Sequence, residues 1–263
     1  MKKLIALLLT LALLVSSLFV LASCGNNDTP GDDSTEGTVD VPGDKTPTIP
    51  DDPTNGRTPT DLSCFKYKET DTEVTITGVY SDVPEEVVIP ATINGKPVTT
   101  IGVAAFASMS IIREIYIPTS VTKIEDGAFA NCAKLHTIGL PDTITSLGAS
   151  AFSGCKNLTA EADFLPANIT ELKDRTFEGC VWLSTMDIPE GVTTIGNYVF
   201  NGCIRIASIT LSENITSIGL GAFSGCKILK KFYVKEGSDA DLWLKEEVEK
   251  GSIQESYIKY EEN

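Results

Sequence analysis

Apolar residues in this chain recur in a fixed order. Leu135, Ile138, Leu140, Ile144, Leu147, Phe152 and Cys155 trace one unit, and its phenylalanine returns at Phe106, Phe129, Phe152, Phe177, Phe200 and Phe223 with steps of 23, 23, 25, 23 and 23 residues. Each unit holds two short segments in which apolar and polar residues alternate. Ile115-Tyr116-Ile117, Ile138-Gly139-Leu140, Met186-Asp187-Ile188, Ile209-Thr210-Leu211 and Phe232-Tyr233-Val234 form a first set, and Val121 to Ile124, Ile144 to Leu147, Ile169 to Leu172, Val192 to Ile195 and Ile215 to Ile218 a second. A period of two marks a strand with one buried face. Pro118, Pro141, Pro166 and Pro189 close the first segment, and Gly148, Gly196 and Gly219 close the second, as residues suited to turns.

A unit of this length is one coil. It cannot bury its own apolar face and is stable only when stacked on neighbours, so the pattern predicts a solenoid of short parallel strands and turns with little helix. Six phenylalanines predict about six coils. A two-residue insertion between Ala160 and Phe164 is predicted to bulge one of them, and Met109 and Ser212 stand where other coils have Cys and Pro.

The front of the chain follows other rules. Met1-Lys2-Lys3 precedes a run from Leu4 to Leu21 broken only by Thr10, Ser16 and Ser17, and Leu21-Ala22-Ser23-Cys24 follows, so residues 1–23 read as an export signal. An uncleaved helix is the alternative, since 18 largely apolar residues just span a bilayer. From Gly25 to Asp61, nine acids stand against Lys45 and Arg57, among Gly, Asn, Thr and Pro. That composition predicts a disordered acidic stalk over residues 24–61, reaching roughly 30–37 Å as a coil.

The fullest repeats read VTKIEDGAFANC, ITSLGASAFSGC, VTTIGNYVFNGC and ITSIGLGAFSGC. In these motifs the chain resembles the BspA-like leucine-rich repeat family of bacterial surface proteins over roughly Val74 to Val234, and Leu-Ala-Ser-Cys resembles the lipobox of bacterial lipoproteins. The resemblance implies a leucine-rich-repeat solenoid at 62–263, with an N-terminal cap at 62–100, repeats at 101–234 and a C-terminal cap at 235–263. It also implies lipidation of Cys24, anchoring to the cell envelope with surface exposure, and adhesion or host and matrix binding without catalysis. An accessory or enzymatic part in a surface polysaccharide system is the alternative.

Charge and candidate chemistry sharpen this picture. A net charge of −15, with no basic run longer than Lys230-Lys231, disfavours polyanionic partners and nucleic acid. Cys132, Cys155, Cys180, Cys203 and Cys226 lie three residues after each phenylalanine and read as buried free thiols, because their side chains point the same way into the core. Cys64 stands apart, and its state is left open. No C-x-x-C or H-x-x-H is present, so no metal or cofactor is expected. The single histidine, His136, would have to serve any Ser-His-Asp or Cys-His dyad, but its equivalents are Arg113, Ser184, Ala207 and Lys230, a freely varied slot. Glu125, Asp126, Asp187 and Glu190 read as solvated turn charges, and Thr122, Thr145, Thr170, Thr193 and Thr216 as an outward column with strand propensity. The outward residues of the first strand set are the candidate ligand surface: Glu114, Tyr116, Thr137, Thr185, Asp187, Ser208, Thr210, Lys231 and Tyr233. Trp182 reads as coil surface or core edge.

Overall fold

A computed structural model describes residues 56–160 and 163–260 of the chain. The export signal, Cys24 and nearly all of the expected stalk lie outside these residues.

Both predicted strand sets stack into parallel columns. In the first, Glu86–Val88, Glu114–Tyr116 and Thr137–Gly139 pair in register, and Thr185–Asp187, Ser208–Thr210, Lys231–Val234 and Ile258–Tyr260 pair in turn. In the second, Val74–Val79, Lys96–Ile101, Lys123–Ile124 and Ser146–Leu147 form one run, and Glu171–Leu172, Thr194–Ile195 and Ser217–Ile218 another. Phe65–Glu69 lies antiparallel on Val74–Val79 and covers that column's N-terminal edge, which would otherwise invite edge-to-edge pairing. Between the columns, the carbonyls of Pro118, Pro141, Pro166 and Pro189 accept from the amide three residues on, and Ser212 does the same for Ile215. The turn therefore needs the backbone acceptor and survives the loss of proline at Ser212.

The solenoid makes about eight turns, two more than the phenylalanine count predicted. The segments Val74–Val79 and Glu86–Val88 already sit in the columns, with Val87 opposite Ile115, and Ile258–Tyr260 adds a last rung to the first column. Neither end carries the repeat phenylalanine, so a count based on that residue missed both.

A third side, which alternation does not reveal, completes each coil. Phe129 N–H donates to Ala151 O at 2.8 Å, with Gly127 to Ala149 and Asn131 to Ser153 on either side of it, and this triplet of bonds recurs from Phe106 to Phe200. Residues two before and two after each phenylalanine are left-handed, as at Gly127 and Asn131 or Ser150 and Gly154. That twist turns alternate amides toward the next coil while the intervening ones close local turns. Gly148, Gly196 and Gly219 follow the second strand as expected, but none has a positive φ. A Cβ on Gly148 would lie 2.3 Å from Asp126 N, and one on Gly219 would lie 2.5 Å from the Gly196 carbonyl carbon. Close approach of neighbouring coils excludes a side chain there.

The core is a stack of rings. Successive centroids from Phe106 to Phe223 stand 5.2, 5.4, 5.4, 5.7 and 5.8 Å apart with nearly parallel planes. The insertion breaks the second column, because Ser146–Leu147 and Glu171–Leu172 do not pair, yet the third side bridges the gap through Ser150, Phe152 and Gly154. Phe164 fills the space, edge-on to Phe152 and Phe177 at 6.4 and 6.1 Å. At the C-terminal end, helix α1 (Asp239–Glu249) is capped by Ser238, whose hydroxyl accepts from Asp241 N. Leu244 is buried, Leu242 is exposed, and Trp243 packs edge-on to Phe223 at 5.9 Å. Asp241, in the first turn of this helix, is buried and accepts from Gly237 N, Lys245 Nζ and Tyr260 Oη. Burial alone would raise its carboxyl, but these donors outweigh burial and hold it below its ordinary range.

Candidate ligand-binding surface

The candidate residues of the first column face outward, since the apolar residue between each pair is buried. Pairing places Glu114 beside Thr137, Thr185 beside Ser208 and then Lys231, and Asp187 beside Thr210 and then Tyr233. Among the described residues no strand pairing joins Thr137–Gly139 to Thr185–Asp187. Tyr116 closes the N-terminal end of this face: its hydroxyl donates to Glu114, and the Arg57 guanidinium lies 3.9 Å above its ring. That bond to a carboxylate, with burial, raises the Tyr116 hydroxyl above its ordinary range. Between Tyr116 and Tyr233 the face is small and hydroxyl-rich, suited to broad shallow contact.

The threonine column is exposed but occupied. Thr122 Oγ1 reaches Thr99 O, Thr145 reaches Thr122, Thr193 reaches Thr170 and Thr216 reaches Thr193, at 3.2–3.4 Å, beside the backbone bonds between the same residues. These hydroxyls reinforce the seam between coils.

The cysteines make a comparable ladder inside. Sγ of Cys132, Cys155, Cys180, Cys203 and Cys226 each donates to the carbonyl of the phenylalanine in the preceding coil, at 2.9–3.1 Å, and all five are unpaired. Burial pushes the thiols up, to about 11 at Cys132 and about 12 at Cys226. Cys64, half-buried, is also a free thiol.

His136 is exposed, and its Nδ1 lies 3.1 Å from Thr137 Oγ1, a neighbour that cannot orient a general base as a buried carboxylate does. Among the described residues no cluster of metal-ligating side chains occurs and no helix is long and apolar enough to cross a membrane.

Two features escaped the sequence reading. Trp182 is 47 % exposed and carries Arg205 at 4.1 Å over its ring. The pair comes from adjacent coils 23 residues apart, so superimposing the residues two after each ladder cysteine would have exposed it. The second is a groove of about 690 Å³ at the C-terminal end, lined by Phe223, Trp243, Ile253 and Tyr257 with Glu247 and Lys250. It lies where a further rung of the third side would sit, and Gly221, Phe223 and Gly225 N–H have no described acceptor there.

Comparison with known proteins agrees with this architecture. The profile described as "BspA type Leucine rich repeat region" matches six copies, over residues 85–162 and 123–240. A leucine-rich repeat protein of Bacteroides ovatus is 32 % identical with a TM-score of 0.61, covering 66 % of this chain and 46 % of its own. The T. pallidum leucine-rich repeat protein is 26 % identical with a TM-score of 0.60, covering 77 % of this chain and 100 % of its own. A leucine-rich cell surface protein of Faecalibacterium prausnitzii is 28 % identical with a TM-score of 0.54, covering 66 % and 54 %. The chain thus spans about half the length of the B. ovatus and F. prausnitzii proteins. No curated protein matches it.

Proposed function

This chain belongs to the BspA-type leucine-rich repeat family, and from that premise we propose that it is a non-enzymatic cell-surface lipoprotein whose repeat surface binds an extracellular protein or glycan. The observation that carries this reading is the outward face of the first column, where small polar residues stand on two parallel ladders, Glu114 beside Thr137 and Thr185 beside Ser208 and Lys231. Such ladders present many positions at fixed spacing, as an extended ligand requires and a single catalytic pocket does not. The neighbour described as a cell surface protein is consistent with export through the Leu4–Leu21 run and anchoring at Cys24.

Two experiments test the proposal. The mature chain, applied to an array of matrix proteins and glycans, is expected to retain at least one ligand at micromolar strength; silence across the array would leave a purely structural role. Cys24→Ala is expected to remove acyl label and release the protein from membranes, whereas persistent membrane association would favour an uncleaved helix.

A further inference from the structure

One corner of the solenoid, between the third side and the first column, reverses the charge of the rest. Its five segments 132–137, 155–160, 180–185, 203–208 and 226–231 contain none of the chain's 36 acids. They carry Lys134, Lys156, Arg205, Lys227, Lys230 and Lys231, all exposed and none ion-paired with a described residue. Cations elsewhere are mostly neutralised, as with Arg113 on Glu85 at 2.8 Å and Lys96 on Glu69 at 2.8 Å.

The backbone puts these segments in line. His136 N donates to Arg113 O, Thr159 N to His136 O, Ala207 N to Ser184 O and Lys230 N to Ala207 O, so equivalent positions stack coil on coil at the roughly 4.8 Å spacing of paired strands. Across the insertion, between Thr159 and Ser184, the two halves are joined by Gly154 N donating to Glu178 O and Cys180 Sγ donating to Phe152 O. The cations therefore form a strip along the solenoid axis with the Trp182–Arg205 pair in its middle. On one flank the third side offers small or neutral residues such as Ser153, Gly154, Asn201 and Gly202, and its one acid there, Glu178, is paired with Arg175 at 3.0 Å and accepts from Asn201. The other two corners bear acids, among them Asp126 and Asp174 on one and Asp142, Glu190 and Glu213 on the other. Among the three corners an anionic chain is therefore favoured along this one and opposed by the acids of the other two.

We propose that the strip binds a linear anionic polysaccharide, carboxylated or sulfated, lying along the axis across at least four coils with one sugar ring against Trp182. This rests on the reading of the protein as a surface binder and specifies its surface and its ligand class. It departs from the expectation, drawn from net charge, that polyanionic partners are disfavoured, because the unpaired cations are gathered on one corner. A regular polymer matches a regular line of single charges, and one aromatic platform suffices for it. Single-stranded nucleic acid stacks successive bases on several aromatic side chains, and the strip offers only Trp182.

The test titrates the mature chain with polygalacturonate, heparin, neutral dextran, poly-glutamate and oligo-thymidylate at several salt concentrations. At least one of the two acidic polysaccharides is expected to bind, with an affinity that falls linearly in log–log form as salt rises. Their ratio assigns carboxylate or sulfate chemistry, and dextran is expected not to bind. The triple variant Lys134→Glu, Lys156→Glu, Lys227→Glu is expected to lose about tenfold or more with an unchanged thermal midpoint, while Lys66→Glu, Lys68→Glu on the N-terminal hairpin leaves binding intact. Trp182→Ala is expected to lower affinity several-fold without changing the salt slope, which a purely electrostatic strip would not show. Dextran, poly-glutamate or oligo-thymidylate bound as tightly as the acidic polysaccharides, or indifference to the triple variant, would overturn the proposal. If neither acidic polysaccharide binds while the broader array yields another ligand, the strip fails and the surface-binder reading stands; silence in both defeats the two together.

Discussion

Each ladder thiol closes one carbonyl of the preceding coil while filling a core slot, as Cys132 does beneath Phe106. Burial raises its ionisation from an ordinary 9.0 to about 11. A thiol raised on folding stabilises the protein below its unfolded value, and that contribution is lost as pH rises through 9 toward the folded value, by up to about 1.4 kcal/mol per pH unit for each thiol. Urea midpoints followed from pH 7 to 10.5 are therefore expected to fall less steeply in Cys180→Ala than in the parent, although the variant starts lower. Equal slopes would contradict the burial argument. Folded protein should likewise resist alkylation at these five positions until unfolded, without reductant; a recovered Cys132–Cys155 linkage would contradict it. At Gly148, contact rather than conformation sets the residue, since a Cβ would meet Asp126 N at 2.3 Å. Gly148→Ala is expected to cost about 1–3 kcal/mol or more in chemical denaturation, and an unchanged midpoint would refute the close approach. The cysteine slot was legible from its period, but the role of Gly148 was not, because a clash between coils leaves no trace in local turn chemistry.

Alternation revealed two columns and nothing of the third side, whose residues form consecutive turns with left-handed positions at both flanks of phenylalanine. The trace it does leave is the recurring Gly or Asn two residues from phenylalanine, as at Asn131 and Gly202. This side bridges the break at the insertion, where the second column parts. It also ends unpaired. Tyr198, Phe200 and Gly202 amides donate to Leu220, Ala222 and Ser224 at 3.0, 2.8 and 2.8 Å, while Gly221, Phe223 and Gly225 open into the terminal groove. Hydrogen exchange is expected to be far faster at Gly221, Phe223 and Gly225 than at the equivalent interior amides. Equal protection would mean that another group covers the rung. The C-terminal cap was expected at 235–263, and within it Trp243 rather than Leu242 meets the core because the ring reaches Phe223 at the open end.

Across the whole molecule, the solenoid was legible because every coil repeats one apolar order, and the coil count was not, because the terminal turns lack the marker phenylalanine. The outward orientation of the candidate face followed from alternation. The basic strip could not be read as a run, since its cations are brought together only by stacking at intervals near 23 residues. Both surfaces exist only while neighbouring coils hold one another in register, and that interdependence is the central claim. It is tested most directly by thermal unfolding of Phe200→Ala beside His136→Ala. Phe200 stacks on Phe177 at 5.7 Å and on Phe223 at 5.8 Å, so its truncation weakens two interfaces, and a buried phenylalanine cut to alanine costs about 3–5 kcal/mol. Phe200→Ala is expected to lower the midpoint by many degrees, while His136→Ala, at an exposed slot, changes stability by about half a kcal/mol or less. A Phe200→Ala midpoint equal to the parent's, or a collapse caused by His136→Ala alone, would contradict the stacked array.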